Sequence, residues 1–286
     1  MVVFVILNYL TVEETIQNVQ QIKSMAGEEV RIIIVDNASP NGAGKKLTEK
    51  LDRDPLVQVI QNKQNTGFAS GNNVGYTAAL KYDPDFIVIQ NNDIEYTQAN
   101  FVKSVRKAYF KHHFSVMGPD IFVPETGVHQ NPKKLQSYSL KEVEKIVARS
   151  ASKLKKPGLL KIRVALKQIR PLRGIVLRCR SKQMNLVWQK SSIGSVLHGA
   201  FIVFSRDFFS QINPPFDPRT FFYFESEILD LRIKRLGLVA FYNPDITVRH
   251  HQNTSTKLAY KNEYAKTVFQ LKNMIKSGKI LEKYFD

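Results

Sequence analysis

Four short segments within the first 93 residues place polar residues or glycines directly after apolar runs. They are Leu-Asn-Tyr at positions 7–9, Val-Asp-Asn-Ala-Ser at 35–39, Asn-Thr-Gly-Phe-Ala-Ser-Gly-Asn-Asn at 65–73 and Asn-Asn-Asp at 91–93. In an open α/β sheet, ligands bind outside the carboxyl ends of the parallel strands, so polar residues at successive strand exits converge on one crevice. The spacing of these segments therefore predicts a nucleotide pocket.

The elements that must position these segments alternate between strand and helix. Apolar runs predict strands at residues 2–7, 31–35, 57–60 and 85–90, and helical spacing of apolar residues predicts helices between them. This alternation predicts an α/β fold with a Rossmann-like, mostly parallel central sheet flanked by helices. Further along the chain, the same criteria predict helices at 98–111 and 226–236 and strands at 115–123, 200–204, 238–242 and 245–249.

The candidates for the nucleotide pocket come from these segments. Asp36 lies in a turn where its carboxylate can accept hydrogen bonds from a base edge or from ribose hydroxyls, and a carboxylate that only closes the turn is the alternative. Free backbone N–H groups at a glycine-spaced helix entry can bind phosphate or ribose, although helix capping and a tight turn explain the same residues. The remaining candidates at the first strand exit and at this helix entry are Asn8, Tyr9, Asn65, Gly67, Gly71 and Asn72.

Three later segments complete a resemblance to a known family. They are His-Gly-Ala-Phe-Ile-Val-Phe at 198–204, Phe-Phe-Tyr-Phe-Glu-Ser-Glu-Ile-Leu-Asp-Leu-Arg-Ile-Lys-Arg-Leu-Gly at 221–237 and Arg-His-His at 249–251. With the first four segments, in this order and spacing, the chain resembles the family 2 glycosyltransferases of bacterial polysaccharide assembly over residues 2–131 and 195–256. The resemblance implies the GT-A type of nucleotide-diphospho-sugar transferase fold, an inverting reaction, a UDP- or dTDP-linked sugar donor and a divalent metal, Mn²⁺ or Mg²⁺.

The resemblance also assigns residues to the metal and the diphosphate. The family usually carries Asp-X-Asp or Asn-X-Asp at this strand exit, and its last aspartate, here Asp93, holds the metal against the diphosphate. Asn91 replaces the first aspartate, so free metal should bind weakly until the donor completes the site, and Asn92 is a further donor-binding candidate. In similar transferases a histidine after the last strand completes the metal site or contacts the diphosphate, and both His250 and His251 match it.

The general base and the acceptor side follow from the same resemblance. The family has a Glu-Asp pair at the start of the helix after the aromatic run, and one of the two deprotonates the acceptor hydroxyl. This chain reads Glu225-Ser226-Glu227, so the aspartate is absent. Glu225 holds the aligned position and is the first candidate for the base, Glu227 is the second, and an acidic pair that only favours the helix start is the alternative. His198 and Gly199 are expected on the acceptor side.

The net charge of +17 is concentrated in one part of the chain. Residues 133–190 contain 17 lysines and arginines against two acids, an excess of 15. Two segments there combine basic charge with helical apolar spacing, the second with Arg163, Lys167 and Arg170 opposite its apolar side, and such helices are typical of anionic membrane surfaces. Similar transferases often use lipid-diphosphate-linked acceptors, so a lipid-linked oligosaccharide acceptor is expected. A solvated basic surface is the alternative.

These patterns divide the chain into a nucleotide-sugar-binding half at 1–131, a basic helical insertion at 132–194, an acceptor-binding half at 195–256 and a helical tail at 257–286. No apolar run approaches the roughly 18 residues that a spanning helix needs, and the apolar residues 1–7 predict a strand because they lack a basic leader. The one cysteine, Cys179, allows no internal disulfide, which fits a reducing compartment. We therefore expect a cytoplasmic protein that is peripheral on the inner face of the cell membrane.

The sequence thus predicts an inverting, metal-dependent hexosyltransferase that extends a capsule, exopolysaccharide or wall glycan in a bacterium. A basic nucleic-acid-binding protein is the alternative that the pI of about 9.8 suggests. That alternative does not explain the four strand-exit segments. The basic residues also form no recognisable recognition helix or aromatic nucleic-acid motif, so no nucleic-acid partner is expected.

Overall fold

The structure is a computed structural model that describes residues 1–26, 30–168, 186–252, 259–260 and 262–286. The predicted features at Arg170 and Cys179 lie outside the described residues. The strands are β1 Val2–Asn8, β2 Val30–Asp36, β3 Val57–Gln61, β4 Phe86–Asn91, β5 Ile94–Tyr96, β6 Val116–Val123, β7 Val128–His129, β8 Ser192–Ile193, β9 Phe201–Ser205 and β10 Ala240–His250. The helices are α1 Val12–Ala26, α2 Ala43–Leu51, α3 Gly67–Leu80, α4 Phe101–His112, α5 Leu140–Leu154, α6 Pro157–Gln168, α7 Arg206–Phe209, α8 Glu225–Arg235 and α9 Glu263–Glu282.

The described strands form one sheet in the order β3-β2-β1-β4-β9-β6-β10-β5, with β7 beside β6 and β8 beside β10. Strands β1 to β4 pair in parallel, as do β6 and β10. Strand β9 runs antiparallel between β4 and β6 and joins the two parallel groups. The predicted α/β class with a central, mostly parallel sheet flanked by helices is confirmed.

Helices cover both faces of the sheet. Side chains of α1 and α4 pack on one face, and side chains of α3 and α8 pack on the other. Parallel strands that are buried on both faces read as continuous apolar runs, which explains the sequence of β1 up to its polar end at Asn8. Each large apolar side chain buried in this way contributes about 1.5–3 kcal/mol to folding. The strand ends, and the polar residues on them, are therefore held by a rigid core.

The last strand differs from its prediction in a way that matters for the site. The sequence predicts two strands here, at 238–242 and 245–249. The structure instead has one long strand, β10, with an irregularity between Asn243 and Thr247. The short strand β5, which was not predicted, pairs with the end of β10 and sets His250 opposite Ile94.

Helix α5 packs on the C-terminal helix α9, and this packing corrects one prediction. The apolar residues Val143 and Val147 of α5 are buried with Phe224, Ile228 and Leu281 in a third apolar cluster. A membrane-surface helix must expose its apolar face to the lipid. The prediction that this basic amphipathic segment lies on a membrane is therefore wrong for α5, whose apolar face is used within the fold.

Helix α6 leaves an apolar stripe uncovered. Leu159, Ile162 and Leu166 follow helical spacing along one side and are 44%, 58% and 48% exposed. The opposite side carries the buried Leu160, and the ammonium of Lys161 lies over the ring of Tyr264 in α9, 5.5 Å from its centroid. Helix α6 is thus attached to the body of the protein through the side that faces away from the stripe.

No helix in the described ranges combines the length and the apolar character that crossing a membrane requires.

Candidate functional site

The ends of β1 and β2 bring the first two predicted segments together. Asn8 and Asp36 are register partners, and the Asn8 amide donates a 2.6 Å hydrogen bond to Asp36 Oδ1. The hydroxyl and backbone N–H of Ser39 donate to the two carboxylate oxygens at 2.6 and 3.0 Å. Asp36 is only 3% exposed. These contacts are those expected of a carboxylate that closes the turn after β2 and fixes its shape.

Asn37 connects the second segment to the third, a role that the sequence reasoning missed. Its amide donates to the side-chain oxygen of Asn65 at 3.1 Å and to the Gly67 carbonyl at 3.0 Å. Its own oxygen accepts from Asn62 and from the backbone N–H of Thr66, both at 3.1 Å. Asn37 was visible in the Asp-Asn-Ala-Ser turn, but no local pattern showed that its partners lie almost 30 residues away.

The glycine-spaced segment does not form an open phosphate loop. Residues from Gly67 onward are helical, and the first N–H donors are already taken, because Gly67 N–H donates to Asn65 and Phe68 N–H donates to the Phe221 carbonyl. A Cβ on Gly71 would lie 2.6 Å from a methyl carbon of Leu7. Gly71 therefore serves close packing of α3 on β1, and the N–H groups of Gly67 and Phe68 are not free donors.

Other predicted pocket residues have defined surroundings. Asn72 is fully buried, and its amide donates to the Phe68 carbonyl at 2.9 Å. The Asn92 amide donates to the hydroxyls of Thr11 and Thr15 at 2.5 and 2.9 Å, beneath the strand ends. Tyr9 is half-buried.

The loops around Tyr9 and the C-terminal part of the chain meet at a group of tyrosines. Burial, together with the neighbouring Tyr223 and Tyr9, raises the pKa of Tyr260 to about 12. The ring of Tyr260 also packs on Phe269 of α9 with 5.0 Å between centroids. The polar segment that follows β1 is therefore bordered by aromatic residues from near the chain's C-terminus.

Asp93 and His250 face each other at the ends of β4 and β10. His250 Nε2 lies 3.1 Å from Asp93 Oδ1, yet the geometry is not that of a hydrogen bond, and among the described residues this buried oxygen has no hydrogen-bond partner. The other ring nitrogen, Nδ1, lies 2.7 Å from Gln130 Oε1, and Nε2 lies 3.2 Å from the Asn91 amide. A proton on Nδ1 satisfies Gln130, so Nε2 carries the ring's lone pair, which accepts from the Asn91 amide and lies beside the carboxylate.

This arrangement fits a cation. Two acceptor atoms that face each other at 3.1 Å repel unless a proton or a metal ion lies between or beside them. A histidine that donates one ring N–H to a side-chain carbonyl and offers the other nitrogen has the usual tautomer of a metal ligand. The described residues contain no group of three or more His, Cys, Asp or Glu that could hold a metal ion. Asp93 and His250 would therefore need donor oxygens to complete a coordination shell.

His251 points to a different environment. Its Nε2 lies 2.7 Å from Glu95 and its Nδ1 lies 3.3 Å from Glu125. The hydrogen bond to Glu95 is the main cause that raises the pKa of His251. Its backbone N–H donates to the Asp93 carbonyl, so His251 continues the strand pairing while its ring lies among surface acids. Of the two candidate histidines, the structure brings only His250 to the Asp93 carboxylate.

Glu225 and Glu227 both lie in the first turn of α8 and are buried. Glu227 Oε1 forms a 2.7 Å ion pair with Lys133 Nζ. Glu225 Oε1 has no hydrogen-bond partner in the described part of the chain. Burial raises the pKa of Glu225 to about 7, with Glu227 acting in the same direction and Lys133 opposing it. Glu227 Oε2 also lacks a hydrogen-bond partner in the described part of the chain, so what separates the two carboxylates is the ion pair of Glu227 with Lys133.

His198 lies between the two groups of charges. Its ring centroid is 6.3 Å from that of His250, and burial, with the charge of Lys133, lowers its pKa to about 3. The neutral ring accepts from the Ala200 N–H at Nδ1, so its proton is on Nε2. A Cβ on Gly199 would lie 3.1 Å from Ser226 Oγ. The segment therefore packs against the start of α8.

The segment after β7 is the largest part of the site that the sequence reasoning missed. Gln130 contacts His250, and the Asn131 side-chain oxygen accepts from the His198 N–H at 2.7 Å. Lys133 pairs with Glu227, and its backbone N–H donates to the Val196 carbonyl. Burial alone would lower the pKa of Lys133, but the Glu227 carboxylate outweighs it and raises that pKa. Three neighbouring residues thus connect the metal-binding candidates to the acidic pair.

The site can be compared with known proteins once this geometry is established. The model of the family described as Glycosyl transferase family 2 matches residues 2–170, so the match continues through α5 and α6 and does not end at residue 131. A comparison with curated protein sequences gives no match.

Solved structures share the fold at low sequence identity. The chain is similar to a mannosyltransferase from Pyrobaculum calidifontis in complex with GDP-Man and Mn²⁺, with a TM-score of 0.53, 10% identity and coverage of 99% of this chain and 72% of that one. It is similar to GalNAc-T7 with UDP, GalNAc and Mn²⁺, with a TM-score of 0.55, 13% identity and coverage of 88% and 43%. It is also similar to S. aureus TarS 1-349, with a TM-score of 0.51, 12% identity and coverage of 96% and 70%. At these identities the likeness shows the fold alone.

Proposed function

The chain belongs to glycosyl transferase family 2, and on that basis we propose that it transfers a sugar from a nucleotide-diphosphate donor to a glycan hydroxyl with inversion at the anomeric carbon. The observation that carries this proposal is the position of His198. Its ring lies 6.3 Å from that of His250, which faces Asp93, and it feels the charge of Lys133, which pairs with Glu227. His198 therefore lies near both the metal-binding candidates and the candidate bases.

Asp93 and His250 would hold the divalent metal, Mn²⁺ or Mg²⁺, with Asn91 beside them. Their fit rests on Asp93 Oδ1, which has no hydrogen-bond partner among the described residues, and on His250 Nε2 beside it, whose lone pair a metal would take over from the Asn91 amide. When bound, such an ion neutralises charge that develops on the departing diphosphate. Among the described residues, no third acid or histidine joins Asp93 and His250 in a group that could hold a metal ion. The site therefore depends on the donor phosphates for metal affinity. A UDP- or dTDP-linked sugar is the proposed donor.

Glu225 is the proposed general base. With a pKa of about 7 and an oxygen that lacks a partner, it can accept the proton of the acceptor hydroxyl near neutral pH. The hydroxyl oxygen then forms a bond to the anomeric carbon as the bond from that carbon to the diphosphate oxygen breaks. Glu227 is held in its ion pair with Lys133, so we assign it to fixing the local charge. The protonated Nε2 of neutral His198 can donate a hydrogen bond to a sugar hydroxyl.

A thermal-shift screen tests the donor and the metal together. The full chain is heated with UDP-, dTDP- and GDP-linked sugars, each with and without Mn²⁺, because ligand binding to the folded state raises apparent stability by mass action. We expect a shift of the melting temperature that needs both Mn²⁺ and a nucleotide sugar, and that disappears in Asp93→Ala. A shift of the same size in Asp93→Ala, or equal shifts with Mn²⁺ alone, would contradict the proposed metal site.

The proposed acceptor is a lipid-linked oligosaccharide used for a bacterial capsule, exopolysaccharide or wall glycan at the inner face of the cell membrane. The support comes from α6, where the exposed stripe of Leu159, Ile162 and Leu166 is accompanied by basic residues. Residues 140–168 contain nine lysines and arginines against two acids. Apolar side chains flanked by basic ones match an anionic bilayer, where each basic residue near the surface adds about 1 kcal/mol.

Vesicle binding tests this surface separately from the chemistry. Vesicles of phosphatidylcholine with and without phosphatidylglycerol are sedimented with wild type and with a Leu159→Ser/Ile162→Ser/Leu166→Ser variant. We expect binding to the anionic vesicles that the variant loses, with donor hydrolysis in solution unchanged. Phe110→Ser removes a 76% exposed aromatic from α4 and is the matched control. Equal vesicle binding by wild type and the triple variant would contradict the proposal. Concentration-dependent dimerisation of wild type but not of the triple variant would also contradict it, because a second copy of the chain would then cover the stripe.

A further inference from the structure

The turn that presents Glu225 has an unusual backbone. Tyr223 and Phe224, the two residues before Glu225, both have positive φ angles, of 72° and 66°. Residues with a side chain rarely adopt this left-handed conformation, and two in succession persist only where the surrounding structure holds them. Such outliers cluster at functional sites. The contacts that hold this turn therefore bear on the direction in which Glu225 points.

Helix α9 supplies two of these contacts. The buried Ser277 hydroxyl donates a 2.8 Å hydrogen bond to the Phe222 carbonyl, one residue before the left-handed pair. At Gly278 an added Cβ would lie only 2.3 Å from Val147 Cγ2 and 3.4 Å from the Phe224 ring. The absence of a side chain at Gly278 thus lets α9 approach both α5 and the turn.

The opposite side of the turn is held by α3. The Phe68 N–H donates to the Phe221 carbonyl at 2.8 Å, and a Cβ on Gly67 would lie 2.3 Å from that same oxygen. Residues 221–224 are therefore clamped between the donor-side helix α3 and the C-terminal helix α9. The α9 side of this clamp has no part in the chemistry described above.

We propose that Ser277 and Gly278 are positioning residues: through the left-handed turn at Tyr223 and Phe224, they fix Glu225 in its buried place beside Lys133 and Glu227. This proposal rests on the proposed function, since it assigns α9 a role in presenting the general base. It accounts for the conformation of the turn by contacts on both of its sides. It also explains why the C-terminal helix meets the core of the site at a serine and a glycine.

The test begins with Gly278→Ala, which forces α9 away from Val147 and from the turn. We expect kcat to fall at least ten-fold while the Mn²⁺-dependent thermal shift with the nucleotide sugar stays unchanged. The acid limb of the pH–rate profile should move to lower pH, because a displaced Glu225 is better solvated. Adding Val147→Ala removes the clashing methyl groups, so the double variant Gly278→Ala/Val147→Ala should recover both kcat and the profile. Lys279→Ala, on the exposed side of the same turn of α9, is the control.

A second readout needs no turnover. Because burial raises the pKa of Glu225 to about 7, this residue contributes a loss of wild-type stability as pH rises from about 4.5 to about 7. Gly278→Ala should lose less stability than wild type over the same range. Ser277→Ala, which removes one hydrogen bond, should give a smaller change in the same direction and serves if Gly278→Ala does not fold. Wild-type kcat and pH dependence in a folded but less stable Gly278→Ala would overturn the proposal. If wild type shows no turnover but the pH dependence of stability differs between wild type and Gly278→Ala as expected, the result would count against the proposed reaction and not against the positioning role of Ser277 and Gly278.

Discussion

Replacing Lys133 by methionine tests the electrostatics of the acidic pair. Lys133 Nζ lies 2.7 Å from Glu227, and its charge also lowers the pKa of Glu225, which burial and Glu227 raise to about 7. Methionine keeps much of the side-chain length and removes the charge. Without that charge, Glu225 should hold its proton to higher pH.

The size of the effect can be estimated from these contacts. A neighbouring opposite charge shifts a carboxyl pKa by roughly 1–3 units. Lys133 makes its ion pair with Glu227 and acts on Glu225 only as a neighbouring charge, so we take the lower end of this range and expect a rise of about one unit. At pH 7 the ionised fraction of Glu225 would then fall from about one half to about one tenth. Turnover at pH 7 should fall about five-fold and should approach the wild-type value above about pH 9.

The assay is a pH–rate profile of nucleoside-diphosphate release with the donor that the thermal-shift screen identifies. Lys134→Met is the matched control, because Lys134 pairs with Glu142 at the surface at 2.7 Å and should leave the profile unchanged. An unchanged profile in Lys133→Met, or a limb moved to lower pH, would refute the reasoning. A uniform loss of rate at every pH would show that Lys133 acts on the substrate and not on the base.

Three further predictions address the base and the metal. Glu225→Gln should reduce turnover by roughly 10²-fold or more with donor binding nearly unchanged, whereas Glu227→Gln should be milder; a reversed order in steady-state kinetics would exchange the two roles. Burial raises the folded-state pKa of Glu225 from 4.5 to about 7, so its ionisation costs stability as pH rises through that window. In urea denaturation, Glu225→Gln should therefore have a free energy of unfolding up to about 3 kcal/mol higher than wild type at pH 8, with no gain near pH 4.5. His250→Ala should abolish the Mn²⁺-dependent thermal shift with the nucleotide sugar, while His251→Ala should retain it; loss in both would show that the Glu95 contact of His251 supports the site.

The meeting of the polar strand ends was predictable because it depends on short-range rules. Polar residues that follow buried parallel strands meet at one edge of the sheet, and Asn8, Asp36 and Asn91 do so in register. What these rules do not give is the direction of each side chain. Asp36 and Asn92 turn inward to support loops, and the glycine segment became the body of α3 because its small residues fit against β1.

The acceptor side was less predictable because its contacts join distant parts of the chain. Gln130 meets His250, 120 residues away, and Lys133 meets Glu227. Neither residue carries a local signal, since an isolated lysine or glutamine is most often on the surface. The choice between His250 and His251 likewise needed the structure, because neighbouring strand residues point to opposite sides.

The proposed function makes the charged residues of the candidate site depend on one another. It brings a doubly charged diphosphate near the acids Asp93, Glu225 and Glu227, and like charges in a partly buried site repel strongly. Lys133 offsets one of them, and burial keeps Glu225 protonated over part of the neutral range. The Asp93 oxygen has no such compensation from the described residues. A divalent cation that arrives with the diphosphate would supply it, so donor and metal should bind with positive coupling, and each should raise the affinity for the other by the same factor.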